Sequence, residues 1–313
     1  MNPPAAQRSR ELALAIHYVT RYDYDADVVD NLNALRVRPA TDARQRVEDF
    51  SIRVSPEVRL NRHDDYFGTE VVEFEVSRPH RRLVIDVRAR VAIGRPESRP
   101  AGSSWASLVT DEYREAGGEF LLQTEDAPEN PVLGELQSLS RECEDPLATL
   151  LYVSELIPDR FEYRRGATYV DSPLSHVLDG GAGVCQDFVH LGLNLLRRHG
   201  IAARYVSGYL FSAGRPGADR PRVRDGAEAE SVQVDTHAWI EGLVPDADRE
   251  PMWVGVDPTN RGLTGQRHVK IGHGRHYADV PPIKGVYRGM ANSTLEASVT
   301  MTRLDLDGGH GAS

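Results

Sequence analysis

Two hydrophobic periodicities divide the chain. Between Leu12 and Val91 apolar side chains tend to fall on alternate positions. Leu83–Val91 alternates through most of its length, Phe50–Val54 and Val71–Val76 alternate in part, and Leu12–Val19 is a short apolar run. Period-two patterning broken by Pro and Asp/Asn/Gly clusters predicts a mainly antiparallel β-domain over residues 10–95. Gly94–Ser104, rich in Pro, Gly and Ser, reads as a linker.

After the linker the period changes. Asp145-Pro146 followed by Leu147–Ile157 predicts a helix with an aspartate N-cap and a proline in its first turn. From Cys185 onward, Phe188, Leu191 and Leu195 mark one apolar helix face, and Val189, Leu193 and Leu196 mark another. A helix apolar on both sides belongs at the centre of its domain. Gly200 should end it, behind the basic Arg197, Arg198 and His199. Ala202–Leu210, His237–Val244 and Met252–Asp257 read as strands packed after that helix, with the charged segment Ser212–Glu230 as an exposed loop. The fold class is therefore α+β. The expected units are residues 10–95, a second domain over 105–292, and a C-terminal strand and tail over 293–313, of which Asp305–Ser313 reads as disordered.

The start of the central helix carries the candidate chemistry. Cys185 stands where a glycine-rich turn (Gly180, Gly181, Gly183) enters the helix, and the helix N-terminus favours a thiolate. Bare backbone near Cys185 gives a substrate carbonyl access to N–H groups, the requirement of an oxyanion hole. Farther along come His237 in Thr236–Trp239 and Asp257 in Trp253–Asn260. Cysteine, histidine and aspartate are a thiol nucleophile, its base and the group that orients the base. Gln186, Gly183, Tyr163 and Trp239 are candidates for lining the cleft or binding the oxyanion, and Asp187 and Arg204 for a buried pair bracing the helix.

Composition narrows the alternatives. With 313 residues, 40% apolar and 27% charged, the chain is that of an ordinary globular protein long enough for two domains. A formal charge of −10 argues against nucleic acid as a partner. No run approaches the ~18 apolar residues of a membrane helix, and Met1–Glu11 lacks an apolar signal core, so the expectation is a cytoplasmic protein without a membrane partner. Two cysteines make no disulfide framework, and a reducing compartment suits a free thiol. Cys143 lies among acidic neighbours that oppose its ionisation. His273 and His276 lack further ligands at recognisable spacing, so neither a metal nor another cofactor is expected. The sequence says nothing about oligomeric state.

These motifs resemble a family. GVCQDF (Gly183–Phe188), GIAARYVSGYL (Gly200–Leu210), THAW (Thr236–Trp239), WVGVDPTN (Trp253–Asn260) and GRHYADVPPIKGVYRG (Gly274–Gly289) are similar to bacterial transglutaminase-like proteins of the papain-like cysteine-enzyme superfamily. IHYVTRYDYDADV (Ile16–Val28), LRVRP (Leu35–Pro39) and DDYFG (Asp64–Gly68) resemble the β-rich N-terminal domain that accompanies the enzyme core. The resemblance implies a papain-like transglutaminase core, a central cysteine-bearing helix on an antiparallel sheet, with Cys185 as nucleophile, His237 as base and Asp257 as orienting acid. It departs at His276, where the family usually has aspartate, and at Thr69, where it usually has asparagine. The expected activity is cleavage or transfer of a peptide-like amide through a Cys185 thioester, with water or an amine as acceptor. The alternatives are a non-catalytic peptide-binding protein using the same cleft, and a scaffold acting through the β-domain.

Overall fold

The structure, a computed structural model, describes residues 11–95, 100, 104–123, 130–170, 172–212, 222–223 (backbone), 231–246 and 250–304. Most of the expected linker, most of the 212–230 loop and the 305–313 tail lie outside the described residues.

The chain begins with β1 (Leu12–Leu35), β2 (Gln45–Ser55), β3 (Asn61–Asp64), β4 (Glu70–Val76) and β5 (His80–Ile93). Helices α1 (Asp111–Gly117), α2 (Pro131–Ser140) and α3 (Pro146–Arg160) follow, then β6 (Glu162–Tyr163), α4 (Leu174–Gly180), β7 (Ala182–Gly183) and α5 (Cys185–Arg198). The elements that follow are the strands β8 (Ala203–Leu210), β9 (Arg222–Val223), β10 (Ser231–Val234), β11 (Thr236–Val244), β12 (Met252–Val256), β13 (His268–Gly274), β14 (Ile283–Arg288) and β15 (Ser293–Leu304), with a short 3-10 turn at Tyr277–Asp279. Asp145 caps α3, its carboxylate accepting the Ala148 N–H at 2.8 Å. Gly200, at φ 78°, follows α5. There the Ile201 N–H reaches the Leu196 carbonyl and the Gly200 N–H that of Arg197, each at 3.0 Å. That is the paired closure of a glycine-terminated helix.

β1 organises the first sheet. Its first half pairs with β5 and β15 (Ile16 opposite Ala89 and Met301), and its second half with β4 and β14 (Leu35 opposite Val72 and Ile283). Asp30, at φ 48°, marks the change of partners. The path β2-β5-β1-β15-β10-β9 thus joins strands from both ends of the chain. The 10–95 region does not close its sheet alone, because the 293–304 strand lies at its centre against β1. Within the segment expected to be a loop, β9 pairs with β10. The motifs Leu35–Pro39 and Asp64–Gly68 meet through Arg36, whose Nε donates to Asp65 at 2.9 Å.

The second sheet, in the order β12-β11-β8-β13, is antiparallel, and α5 packs on it. Phe188, Val189, Leu191, Leu195 and Leu196 are wholly buried, so both apolar faces of α5 are covered as the pattern predicts. Tyr205 joins the helical core, whereas Tyr209, with Val269 and Ile271 of β13, joins the core of the first sheet. β8 therefore serves both cores.

Candidate active site

Cys185 is the first residue of α5, half-buried, and Asp187 shapes the turn that presents it. Asp187 Oδ2 accepts the Val184 N–H at 2.8 Å and the Thr168 hydroxyl, an acid reaching back to close its own helix N-terminus. The expected Asp187–Arg204 pair is absent, because these local donors satisfy the carboxylate. A Cβ at Gly183 would lie 2.8 Å from Val177 Cγ2 and 2.9 Å from Asp187 Oδ2. Close packing under the helix start thus requires glycine there, whatever a substrate needs. The first N–H groups of α5 have no intrahelical acceptor, so the backbone at Cys185 and Gln186 offers donors beside the sulfur.

β11 brings His237 to Cys185. His237 Nε2 lies 2.8 Å from Asp257 Oδ2, which leaves Nδ1 as the ring atom for Cys185, a neighbour close enough to act on the imidazole's protonation. Burial alone would lower the His237 pKa, but the Asp257 carboxylate and then Cys185 outweigh it and push it up to about 10. Asp257 follows the end of β12 and is 1% exposed. Its Oδ1 accepts the N–H groups of Thr259 and Asn260 at 2.9 and 3.0 Å, and Asn260 Nδ2 donates to Oδ2 at 2.8 Å. Burial opposes the Asp257 charge, yet His237 and then His268 outweigh it and hold its pKa well below the usual carboxylate range.

His268, on β13, is the site residue that sequence reasoning missed. Its Nε2 lies 3.0 Å from Asp257 Oδ2, on the same oxygen as His237. Only its place beside Asp257, a long-range result of β13 pairing with β8, gives it importance. His237, Asp257 and His268 bring ligand-type atoms within 4.8 Å of one another. However, His268 Nδ1 accepts the Gly265 N–H at 3.2 Å, so the ring proton is on Nε2. A metal bound there would have to displace the proton that Asp257 receives, so this donor set does not fit one.

The other expected residues take different places. Tyr163, 44% exposed, stands beside Cys185 because parallel pairing of β6 with β7 ties it there: the Arg164 N–H donates to the Gly183 carbonyl at 2.9 Å. Burial, then the charge at Cys185, raises its hydroxyl pKa, and the same two causes act on Tyr277, a second neighbour of the sulfur. The Gln186 side chain donates to the Val170 carbonyl at 2.8 Å and so fastens the neighbouring loop. Trp239 is 2% exposed; it backs the imidazoles of His237 and His268 at ring distances of 6.3 and 5.3 Å instead of lining the cleft.

Arg204 pairs with Glu241, its cross-strand neighbour, through Nε at 2.7 Å, and Lys270 Nζ reaches the same oxygen at 2.7 Å. Arg204 also stacks over Trp253 at 4.0 Å. Burial raises the Glu241 pKa, but Lys270 and Arg204 outweigh it and lower it to about 2. These residues, with His268, Trp239 and Arg44, line a cavity of about 270 Å³ behind the site. The two departures from the family pattern are structural. His276 Nδ1 accepts the Ala278 N–H at 3.1 Å, the capping bond an aspartate would make. Thr69 is buried, and its side chain packs on Gly272, where an added Cβ would lie 2.5 Å from Thr69 Cγ2. Burial and the charges of Asp145 and Glu142 raise the Cys143 pKa against a bond from Thr149, so that thiol is a poor nucleophile.

Residues 14–92 match the bacterial transglutaminase-like N-terminal region, and residues 136–258 match the transglutaminase-like superfamily. An uncharacterized protein of Mycobacterium tuberculosis is 33% identical over 93% of this chain and 93% of its own. A protein-glutamine gamma-glutamyltransferase of Pseudomonas aeruginosa is 28% identical over 50% of this chain and 22% of its own. In fold, the chain is similar to a proposed cysteine protease from Cytophaga hutchinsonii, with TM-score 0.70, 23% identity, and coverage of 95% of this chain and 92% of that one. No helix among the described residues is long and apolar enough to cross a membrane.

Proposed function

The chain belongs to the transglutaminase-like superfamily, and from that premise we propose that it is a cysteine enzyme acting on peptide or protein amides through a thioester at Cys185. The observation that carries this reading is a single imidazole held between two partners. His237 gives Nε2 to a buried carboxylate, and its other neighbour is Cys185 at a helix start, which helps to raise its pKa. A cleft that only binds peptides has no use for that arrangement.

The chemistry follows from the geometry. His237, with its raised pKa, carries a proton at neutral pH, the setting in which a neighbouring thiol attacks as thiolate. The sulfur adds to the amide carbonyl carbon, and the developing oxyanion meets the free N–H groups at the start of α5. As the C–N bond breaks, His237 Nδ1 gives its proton to the departing amine, leaving a Cys185 thioester. Water or a primary amine then gives a proton back to His237 and attacks the thioester carbonyl. The C–S bond breaks, and an acid or a new amide is released. Asp257 keeps the imidazole turned toward the sulfur throughout. A cytoplasmic setting, where thiols stay reduced, suits this chemistry.

The test is to trap the intermediate. The protein is incubated with a mixture of glutamine-containing peptides, quenched in acid and mapped by mass spectrometry. A hydroxylamine-labile acyl adduct on Cys185, absent from Cys185→Ala, is expected. Adding a primary amine before the quench identifies the acceptor: incorporated amine means transfer, free acid means hydrolysis. An adduct of equal yield in folded Cys185→Ala would overturn the reading.

A further inference from the structure

The Asp257 carboxylate serves two imidazoles, and the two are not equivalent. His237 faces the sulfur. His268 approaches the same oxygen from the opposite strand edge, at 3.0 Å, with its far nitrogen closed off by the Gly265 N–H. We propose that His268 is a positioning residue, an imidazole locked in its Nε2–H tautomer that fixes the carboxylate orienting His237. The proposal rests on the reading that Asp257 orients His237.

Geometry supports the asymmetry. An imidazole nitrogen that accepts a backbone N–H cannot itself carry a proton, so the Gly265 contact leaves His268 a single N–H, aimed at Asp257. The His268 side chain is 11% exposed and that of Asp257 2%, so little solvent can substitute for the bond. Trp239 meets the His268 ring edge-on at 5.3 Å and keeps it facing the carboxylate. The two imidazole rings are 6.2 Å apart, and a positive charge on both would be repulsive. Burial lowers the His268 pKa, and the charge on His237 lowers it further, against the pull of Asp257. Lys270, Glu241, Arg204, Arg44 and Asp42 line the same cavity as His268, and Lys270 and Arg204 are already answered by Glu241. His268 thus supplies a neutral donor where a second cation would compete with His237 for the carboxylate.

The test uses the full chain labelled with ¹⁵N-histidine, with Cys185 alkylation as a second readout. At neutral pH and above His268 should show a protonated Nε2 and a bare Nδ1, and it should take up a second proton only at lower pH than an ordinary imidazole does. His268→Gln, whose amide can donate from nearly the same place, should keep the parental rate and pH profile of Cys185 alkylation. His268→Leu, which cannot donate, should slow alkylation ~10-fold or more, as loss of an outer-shell partner does elsewhere, and should move the His237 titration. A His268 that titrates as an ordinary imidazole, or a folded His268→Leu with the parental profile, would overturn the proposal. If His268→Leu does not fold, the tautomer in the parent decides. Failure of the acyl-transfer reading would appear separately, as equal Cys185 alkylation in the parent and in His237→Ala, while the His268 signals still decide the proposal.

Discussion

Asp257 collects five hydrogen bonds on two oxygens, and Asp257→Asn converts one of those acceptors into a donor. The amide then points its NH₂ either at two backbone N–H groups or at two imidazoles, and both are unfavourable. The expected result is a fall of ~10²–10⁴ in turnover, the scale of an orienting acid, with the fold retained. The His237 pKa should drop from about 10 toward the ordinary 6.5, read from its imidazole signals. An unshifted His237 would contradict the role given to Asp257. Glu241 offers a prediction about stability. Glu241→Gln leaves Arg204 and Lys270, 14% and 13% exposed, facing each other without a carboxylate. Breaking one partner out of such a cluster should cost about 3–5 kcal/mol in urea unfolding at pH 7. The pH dependence follows from a pKa lowered from 4.5 to about 2. The stabilisation is present above pH 4.5 and is lost as pH falls through about 2, and the variant should lack that acid limb. A cost below ~1 kcal/mol would mean the cluster carries little of the fold. Cys185, His237 and Asp257 were legible because each sits in a dense local motif. His268 was not, because its partner is reached only through the pairing of β13 with β8.

At the scale of elements, the start of α5 matters most. Asp187 holds the Val184 N–H and the Thr168 hydroxyl, so it joins the helix to the loop before it. Asp187→Ala should cost ~1–2 kcal/mol as a lost cap, measured by chemical denaturation, and should slow Cys185 alkylation by loosening the turn. Asp187→Asn, which retains an acceptor, should lose less. Equal stability of all three proteins would remove Asp187 from this role. α3 and α5 were readable from 3.6-residue periodicity with clear caps, and β8, β11 and β12 from short apolar runs. β1 was read as ending near Val19, although it continues to Leu35. Asp23, Asp25, Asp27 and Asp30 interrupt its alternation, and they are tolerated because the strand changes partners there. α1, α2 and α4 were missed; two of them have only seven residues, too few to show a period.

The whole molecule is bound together by β1, which pairs for 12 consecutive residues, Ala13–Tyr24, with β15 from the far end of the chain. A proteolytic nick between residues 94 and 104 should therefore leave two fragments that co-elute under native conditions and separate only in denaturant. Free fragments in native buffer would show that the halves stand alone. In the sequence, 10–95 and 105–292 read as units and 293–313 as a C-terminal strand and tail; hydrophobic patterns reveal such local elements, but which sheet the last strand joins leaves no local trace. The account as a whole depends on Cys185, His237 and Asp257 working as one unit. Its most direct test is the rate at which a peptide-like chloroacetamide labels the intact protein, with the labelled residue identified by peptide mapping. The parent should be labelled at Cys185 and not at Cys143, and His237→Ala should be slower by ~10²-fold or more, the lower range for a positioned acid–base partner. Labelling of Cys185 at the same rate in both proteins, or preferential labelling of Cys143, would contradict it.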